Sequence, residues 1–152
     1  MAVLGDRPIL HYDTLTESRE HLPEVIDAAQ GGLMVCMRRG RSRKHAQDGP
    51  VSVVKTAVLR NILETLVAVD SEYEPSDGLY TVAVTGYPLA TEGESWSAAV
   101  GELVDDIRVY CDDWVSRLRH APNHEGNVPL VYMAQAMTDA ELHEWLMKRV
   151  GG

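Results

Sequence analysis

The stretch that decides the fold is TLTESREHLPEVIDAAQGGLMVCMRRGR, residues 14–41. Its first half has apolar side chains at the spacing of three and four that places them on one face of a helix. These residues are Leu22, Val25, Ile26 and Ala29. The pair Gly31-Gly32 ends this helix, because glycine adopts the left-handed conformation at little cost. The stretch therefore predicts a helix, then an apolar strand at 33–37, then the basic turn Arg38-Arg39-Gly40.

Further elements are predicted on both sides of this stretch. Residues 9–15 indicate a short strand that stops at Thr16, a residue type favoured at helix N-caps. Pro23 predicts a break in the helical pattern, because proline lacks the N–H that an inner helical turn needs. Residues 51–55 indicate a third strand that pairs back on the second, and a helix follows from Thr56.

The second half of the chain has a different pattern. The polar segment 71–78, with its proline and glycine, predicts a linker, and a strand follows it. A long amphipathic helix is expected over 95–120, and Thr138-Asp-Ala-Glu141 is the pattern of a capping box that opens a last helix. We therefore expect an α+β chain with a small N-terminal α/β domain at 1–70 and a helix-rich α+β domain at 79–152.

Charge is divided unevenly along the 152 residues, whose formal net charge is −9. Residues 1–56 have eight basic against seven acidic side chains. Residues 57–152 have six basic against sixteen acidic side chains, a balance of −10. Such asymmetry indicates that the two halves bind different partners. The two cysteines lie far apart in the sequence, which argues against a disulfide scaffold or a zinc ribbon.

The basic cluster 38–44 holds five cations in seven residues around Gly40. Guanidinium groups grip phosphate oxygens or the edge of guanine with two hydrogen bonds, so this cluster is a candidate DNA contact. A solvated surface loop is the alternative, because basic loops are common.

Arg19 is a second candidate, because no acidic residue lies three or four positions away to pair with it on a helix. Thr16 and Ser18 lie beside it at an expected helix start, where exposed backbone N–H groups favour anions. This turn is therefore suited to a phosphate or a base edge. The alternative is an ion pair across the fold with a carboxylate such as Asp13.

The order of these features resembles the N-terminal domain of Phd/YefM antitoxins. In that family a strand leads into a Ser/Thr-x-x-Arg-x-x-Leu turn and helix, followed by a glycine, an apolar strand, Arg-Arg-Gly, a strand and a helix. Residues 8–69 match this order, with Arg19, Gly32 and Arg38-Arg39-Gly40 at the distinctive positions. The loop 42–50 is longer and more basic than is usual in the family, and the customary Ser-x-x-x-Tyr is absent.

This resemblance implies a small α+β dimer that binds a palindromic operator and represses its own operon. It also implies that a C-terminal region captures and neutralises a cognate toxin. Carried over position by position, the DNA-facing residues would be Thr16, Ser18, Arg19, Arg38, Arg39 and Arg41. A twofold dimer would present two such surfaces to half-sites about one helical turn apart.

The C-terminal half departs from the short tail of that family, and residues 79–118 faintly resemble the fold of HicB-type antitoxins. Its acidity would suit a cationic toxin by raising the association rate. We expect Asp112, Asp113 and Trp145 to contribute to that surface, Trp145 as an interface anchor on the terminal helix. The alternative is an acidic solvated face with local pairs such as Asp113 with Arg117.

Other classes of function find less support in the sequence. His120 and His124 near Asp112 could belong to a metal-dependent hydrolase, but Pro122 prevents one helix from presenting both histidines. Motifs for nucleotide binding or nucleophilic catalysis are absent, so no enzyme, metal or cofactor is expected. An adaptor protein without a DNA role remains an alternative. Without a signal peptide or an apolar span, a cytoplasmic protein with no membrane contact is predicted.

Overall fold

The computed structural model describes residues 10–40 and 47–151. They are α+β, as the sequence predicted. They divide into two compact units between Leu59 and Arg60, called unit 1 and unit 2 below. The division falls within a helix, α3 (Thr56–Glu64), rather than in a linker. None of the helices among these residues combines the length and the apolar character that crossing a bilayer needs.

Unit 1 contains a three-stranded sheet of order β1-β2-β3 and two helices. Its elements are β1 (Leu10–Tyr12), α1 (Leu15–Glu20), α2 (Leu22–Gln30), β2 (Val35–Met37) and β3 (Val51–Val53). The strands β1 and β2 are parallel. As predicted, β3 pairs back on β2, in the antiparallel direction. The core includes Val25, Ala29 and Val35. Leu22 and Ile26, predicted on the same apolar face, are instead about half exposed.

Helix α1 begins two residues earlier than the sequence suggested. Its N-cap is Thr14, whose hydroxyl accepts the N–H of Glu17 at 3.1 Å, and the predicted N-cap Thr16 lies inside the helix. The Glu17 carboxylate in turn accepts the N–H of Asp13 at 3.3 Å. These reciprocal bonds favour the earlier start because they satisfy N–H groups that a helix leaves without partners. The break expected at Pro23 is confirmed, since α2 begins just before it.

Unit 2 consists of an antiparallel sheet and three helices. Its strands, of order β4-β5-β6, are β4 (Val69–Glu74), β5 (Leu79–Val84) and β6 (Ala90–Gly93). Its helices are α4 (Trp96–Ser116), α5 (Val128–Gln135) and α6 (Asp139–Met147), with short 3-10 helices at Leu118–His120 and Glu125–Asn127. The expected linker 71–78 is therefore wrong: its first half is strand, and 75–78 is the turn of the β4–β5 hairpin.

Helix α4 organises the core of unit 2. The Ser95 hydroxyl caps it by accepting the N–H of Ala98 at 3.1 Å. The apolar stripe predicted for this helix is buried over most of its length, at Val100, Leu103, Val104, Ile107, Cys111 and Trp114. Gly93 lets the sheet approach the helix, because a Cβ at this position would lie 2.6 Å from the backbone nitrogen of Ala99. Helix α4 thus packs closely against one face of the sheet.

The predicted capping box of α6 is present, and its Glu141 is one of three carboxyl groups of unit 2 whose pKa is lowered by hydrogen bonds. The N–H of Thr138 and the guanidinium of Arg60 hold the pKa of the Glu141 carboxyl below its usual 4.5. Hydrogen bonds from Arg117 and Lys148 likewise lower the pKa values of Asp113 and Glu144. A carboxyl with a lowered folded pKa stabilises the fold only while it is ionised.

We therefore expect the melting temperature of unit 2 to stay level above about pH 4.5 and to fall at lower pH, as these carboxyls take up protons. Tryptophan fluorescence measures it, because Trp96, Trp114 and Trp145 all belong to unit 2. A Glu141→Gln variant should lose part of the pH dependence. A melting temperature that stays constant down to about pH 3 would show that these bonds do not stabilise the fold.

Candidate nucleic-acid interface

The parallel pairing of β1 and β2 brings two candidate segments to one edge of the unit 1 sheet. Carboxyl ends of parallel strands meet at the same edge, so α1, which follows β1, lies beside the turn that follows β2. The Arg38 N–H donates to the Tyr12 carbonyl at 3.0 Å and holds that turn against the end of β1. Gly40 then redirects the chain with a φ of +110°, which favours glycine.

A groove of about 400 Å³ lies at this edge. Its lining residues are Leu15, Met37, Arg38, Arg39, Asp48, Gly49 and Val51. They come from the start of α1, the end of β2 and the start of β3. The groove combines apolar walls with two guanidinium groups and the carboxylate of Asp48, and the excess of positive charge suits a phosphate chain and the sugars attached to it.

The arginines of this edge remain accessible. Arg19 and Arg38 are exposed and form no ion pair with the residues that the structure describes. Arg39 lies 3.9 Å from Asp48, a long contact in which the arginine side chain keeps 60% of its exposure. Exposed pairs of this kind contribute little stability, so Arg39 can exchange its partner at small cost. Arg41 lies outside the described residues.

Arg19 belongs to the same face of α1 as the groove residue Leu15, because residues four apart share a helix face. The alternative pairing of Arg19 with Asp13 is not formed. Asp13 instead contacts His11, with 3.2 Å between Nε2 and Oδ1. The guanidinium of Arg19 therefore has no competing carboxylate in the described part of unit 1.

Two expectations for this turn are wrong. Ser18 is only 3% exposed, and its hydroxyl donates to the Thr14 carbonyl at 3.0 Å, so it cannot contact DNA in this conformation. The start of α1 is also not an open anion site, because the Glu17 carboxylate lies there and accepts the N–H of Asp13, while the Thr14 hydroxyl accepts the N–H of Glu17. Thr16 is exposed and stays a candidate contact. The pattern Thr14-x-x-Glu17 was the sequence signal that could have predicted this arrangement.

In unit 2, Trp145 is not the exposed anchor that was expected. It is 5% exposed, and the Arg149 guanidinium lies 4.0 Å from the centre of its ring. Asp113 is paired with Arg117 at 2.6 Å, as the alternative interpretation predicted. Asp112 is exposed and remains available.

Arg108 connects α4 to the segment before α6. Its Nε donates to Asp139 at 2.7 Å, and its Nη2 donates to the Met137 carbonyl at 2.8 Å. A guanidinium with several donors in a fixed geometry suits such a junction. Sequence spacing could not reveal it, because the partners lie about thirty residues away.

The histidines considered as metal ligands have other contacts. His124 Nδ1 lies 3.0 Å from the hydroxyl of Tyr110, and its carbonyl accepts the indole N–H of Trp114 at 3.1 Å. Across residues 10–40 and 47–151, no group of three or more His, Cys, Asp or Glu side chains is placed to hold a metal ion. His120 is exposed on a 3-10 helix. The structure thus uses His124 to join α4 to the following loop.

Comparison with known proteins gave two matches. The sequence model of the PHD_like family, described as antitoxin of toxin-antitoxin, RelE / RelB, TA system, matches residues 9–144. A crystal structure of the antitoxin part of a proposed toxin/antitoxin system from Syntrophomonas wolfei subsp. wolfei has a TM-score of 0.66. That match covers 91% of this chain and 96% of the other at 18% identity, so it shows the fold alone. Proteins of curated function gave no match.

Proposed function

Because this chain belongs to the PHD-like family of antitoxins from toxin–antitoxin systems, we propose that unit 1 binds operator DNA and that unit 2 neutralises the toxin. In this proposal the protein acts by binding rather than catalysis. The Phd/YefM motif around Arg19 and Arg38-Arg39-Gly40 supports assignment to that branch of the family. In this proposal, the two activities together repress the operon that encodes the antitoxin and its toxin.

The observation that carries the DNA proposal is the accessible basic edge of unit 1. Arg38 and Arg39 line the groove, and Arg19 lies on the same face of α1 as the groove residue Leu15. Guanidinium groups that keep their exposure can move from water to phosphate oxygens without breaking a strong internal pair. We assign DNA contact to these three arginines and to Thr16. Arg41 stays in the proposal on the sequence motif alone.

A homodimer is part of this proposal. Among its described residues unit 1 exposes seven large apolar side chains, against six in the longer unit 2, and contiguous apolar surfaces mark protein interfaces. Those between 38% and 61% exposed are Leu15, Leu22, Ile26, Leu33, Met34, Val51 and Val58. Leu22 and Ile26 are four residues apart on α2 and form one exposed face. A second copy covering such a face would give the paired DNA surfaces that a palindromic operator requires.

Unit 2 carries a net negative charge, which suits a cationic toxin. Four of its six basic side chains form internal ion pairs, Arg60 with Glu141, Arg108 with Asp139, Arg117 with Asp113 and Lys148 with Glu144. Arg149 stacks on Trp145. Twelve of the sixteen acidic side chains take no part in these pairs, so the surface is strongly negative. We propose that this surface attracts the toxin through opposite charge.

The experiment that tests the DNA proposal is an electrophoretic shift with DNA from upstream of the operon. We expect binding that weakens steeply with salt, since each phosphate contact releases a counterion. If three arginines per protomer contact phosphates in a dimer, the logarithmic slope should be about −5. A scrambled DNA of equal length is the control. A purified protein that gives no shift at about 50 mM salt would leave only the toxin-binding role.

A further inference from the structure

Strand β4 (Val69–Glu74) is an edge strand of the unit 2 sheet, and among the described residues it has a strand partner on one side only. It pairs with β5 on one side over all six residues. No backbone hydrogen bond reaches its other side from the residues that the structure describes. Asp70, Glu72, Tyr73 and Glu74 are exposed. An edge of this kind offers unpaired N–H and C=O groups to another strand.

The phase of the ladder identifies which groups point outward. The Thr85 N–H donates to the Ala68 carbonyl at 3.0 Å, so the backbone groups of Ala68, just before β4, point toward the β5 side. Hydrogen-bonded pairs alternate along an antiparallel ladder, and the backbone groups of Asp70, Glu72 and Glu74 therefore face β5. Those of Val69, Ser71 and Tyr73 face outward. They provide three donors and three acceptors for a new strand.

The two faces of β4 differ in chemistry. On the face toward α4, Tyr73 contacts Tyr80 with 4.6 Å between ring centres, and Tyr80 contacts Trp96 at 4.8 Å. Tyr73 is 46% exposed and ends this aromatic row at the open edge. On the opposite face Asp70, Glu72 and Glu74 form a carboxylate row. A strand added here would have apolar side chains on one face and basic side chains on the other.

No cation neutralises this carboxylate row from within the sheet. Residues 61–107, which include all three strands, contain no Lys, Arg or His. Cross-strand register places Glu72 opposite Thr81 and Thr81 opposite Glu92, so two carboxylates flank a threonine. The two carboxylates share one face of the sheet about 10 Å apart, at two strand spacings, and both would attract a basic partner.

The other edge of the sheet is less available. Thr91 on β6 donates its hydroxyl to the Ala99 carbonyl at 2.6 Å, and Gly93 is in close contact with the same turn of α4. The start of α4 therefore lies against β6. Only β4 combines an exposed backbone with two chemically distinct faces among the described strands of unit 2.

We infer that β4 is the docking edge for the toxin, which adds a strand of alternating basic and apolar residues to the sheet. This inference rests on the proposed neutralising role of unit 2. Main-chain hydrogen bonds to Val69, Ser71 and Tyr73 supply affinity. Salt bridges to the carboxylate row and contacts with Tyr73 supply selectivity.

The test compares two substitutions at one position, using the full-length chain and the protein encoded by the adjacent reading frame. Ser71→Pro removes the outward N–H, and proline is tolerated on edge strands. Ser71→Ala keeps the N–H but loses the bond in which the serine hydroxyl accepts the N–H of Gly151. We expect calorimetry to show binding weakened about tenfold or more by Ser71→Pro and within about twofold of wild type for Ser71→Ala.

A variant with altered charge tests the same edge without proline, in case proline disturbs the fold. Glu72→Lys with Glu92→Lys changes two exposed side chains and should weaken binding about tenfold at low salt, with less effect at high salt. Amide exchange gives the third measurement: the amides of Val69, Ser71 and Tyr73 should gain protection in the complex.

The possible results distinguish two claims, the neutralising role of unit 2 and the use of β4 as the docking edge. Absence of binding by the wild-type chain would overturn the neutralising role of unit 2 and the docking edge with it. If Ser71→Pro and the charge variant bind as tightly as the wild type, and the amide exchange of Val69, Ser71 and Tyr73 is unchanged in the complex, the docking edge alone is overturned. Loss of binding in Ser71→Pro and in the charge variant, with their melting curves preserved, supports it.

Discussion

Reversing the charge of the basic edge, by Arg38→Glu with Arg39→Glu, is expected to reduce operator affinity roughly 100-fold or more. A lost phosphate or base contact costs about 1–3 kcal/mol, and a dimer loses each contact twice. The new carboxylates would also repel the phosphates. Both side chains are exposed and Arg38 has no ion pair in the described structure, so the melting temperature should change little. A titrated electrophoretic shift measures the affinity.

Lys55→Glu provides the matched control. It reverses one positive charge in the same unit, as Arg38→Glu and Arg39→Glu each do, but Lys55 lies beyond the end of β3 that is farther from Arg38. We expect it to retain most of the operator affinity. Equal losses in the two variants would mean that net charge matters and the basic edge does not. Full binding by the arginine variant would remove the groove from the proposal.

Shortening a fully buried side chain of α4, by Leu103→Ala, is expected to lower the free energy of unfolding of unit 2 by about 2–5 kcal/mol. Leu103 is fully buried, and neighbouring helices and strands cannot collapse completely into the space that alanine leaves. Urea unfolding followed by tryptophan fluorescence measures this loss. Toxin neutralisation should fail at elevated temperature, where the variant unfolds first.

Val109→Ala is the control on the same helix. Val109 is 65% exposed, so its truncation should change the free energy of unfolding by no more than about 0.5 kcal/mol. Operator binding should survive in both variants if unit 1 alone contacts DNA. A Leu103→Ala protein as stable as Val109→Ala would contradict the packing described for α4.

Local signals predicted many of the elements correctly. The capping box Thr138–Glu141 and the start of α4 at Ser95 depend on residues only three apart, and the structure confirms both. The start of α1 was wrong because two threonines, Thr14 and Thr16, compete for one cap. The reciprocal bonds with Glu17 decide between them. A cap is thus predictable when a single candidate is present.

Long-range packing accounts for what the sequence did not reveal. Segment 71–78 has the composition of a linker, but a hairpin turn uses the same residue types, and only pairing with β5 distinguishes the two. The burial of Ser18 and Trp145 likewise depends on tertiary neighbours, which spacing does not encode. The meeting of α1 with the Arg38-Arg39 turn required the parallel pairing of β1 and β2.

The lack of basic residues from 61 to 107 also determines how the chain can be dissected by proteases. Trypsin has no cleavage site between Arg60 and Arg108, so a tryptic digest releases the whole β4–β6 sheet in one fragment. A glutamate-specific protease can instead cut after Glu72, on the exposed strand itself, whereas Pro75 protects the bond after Glu74. Footprinting of a complex should therefore use that enzyme, whose cleavage after Glu72 reports directly on whether β4 is covered.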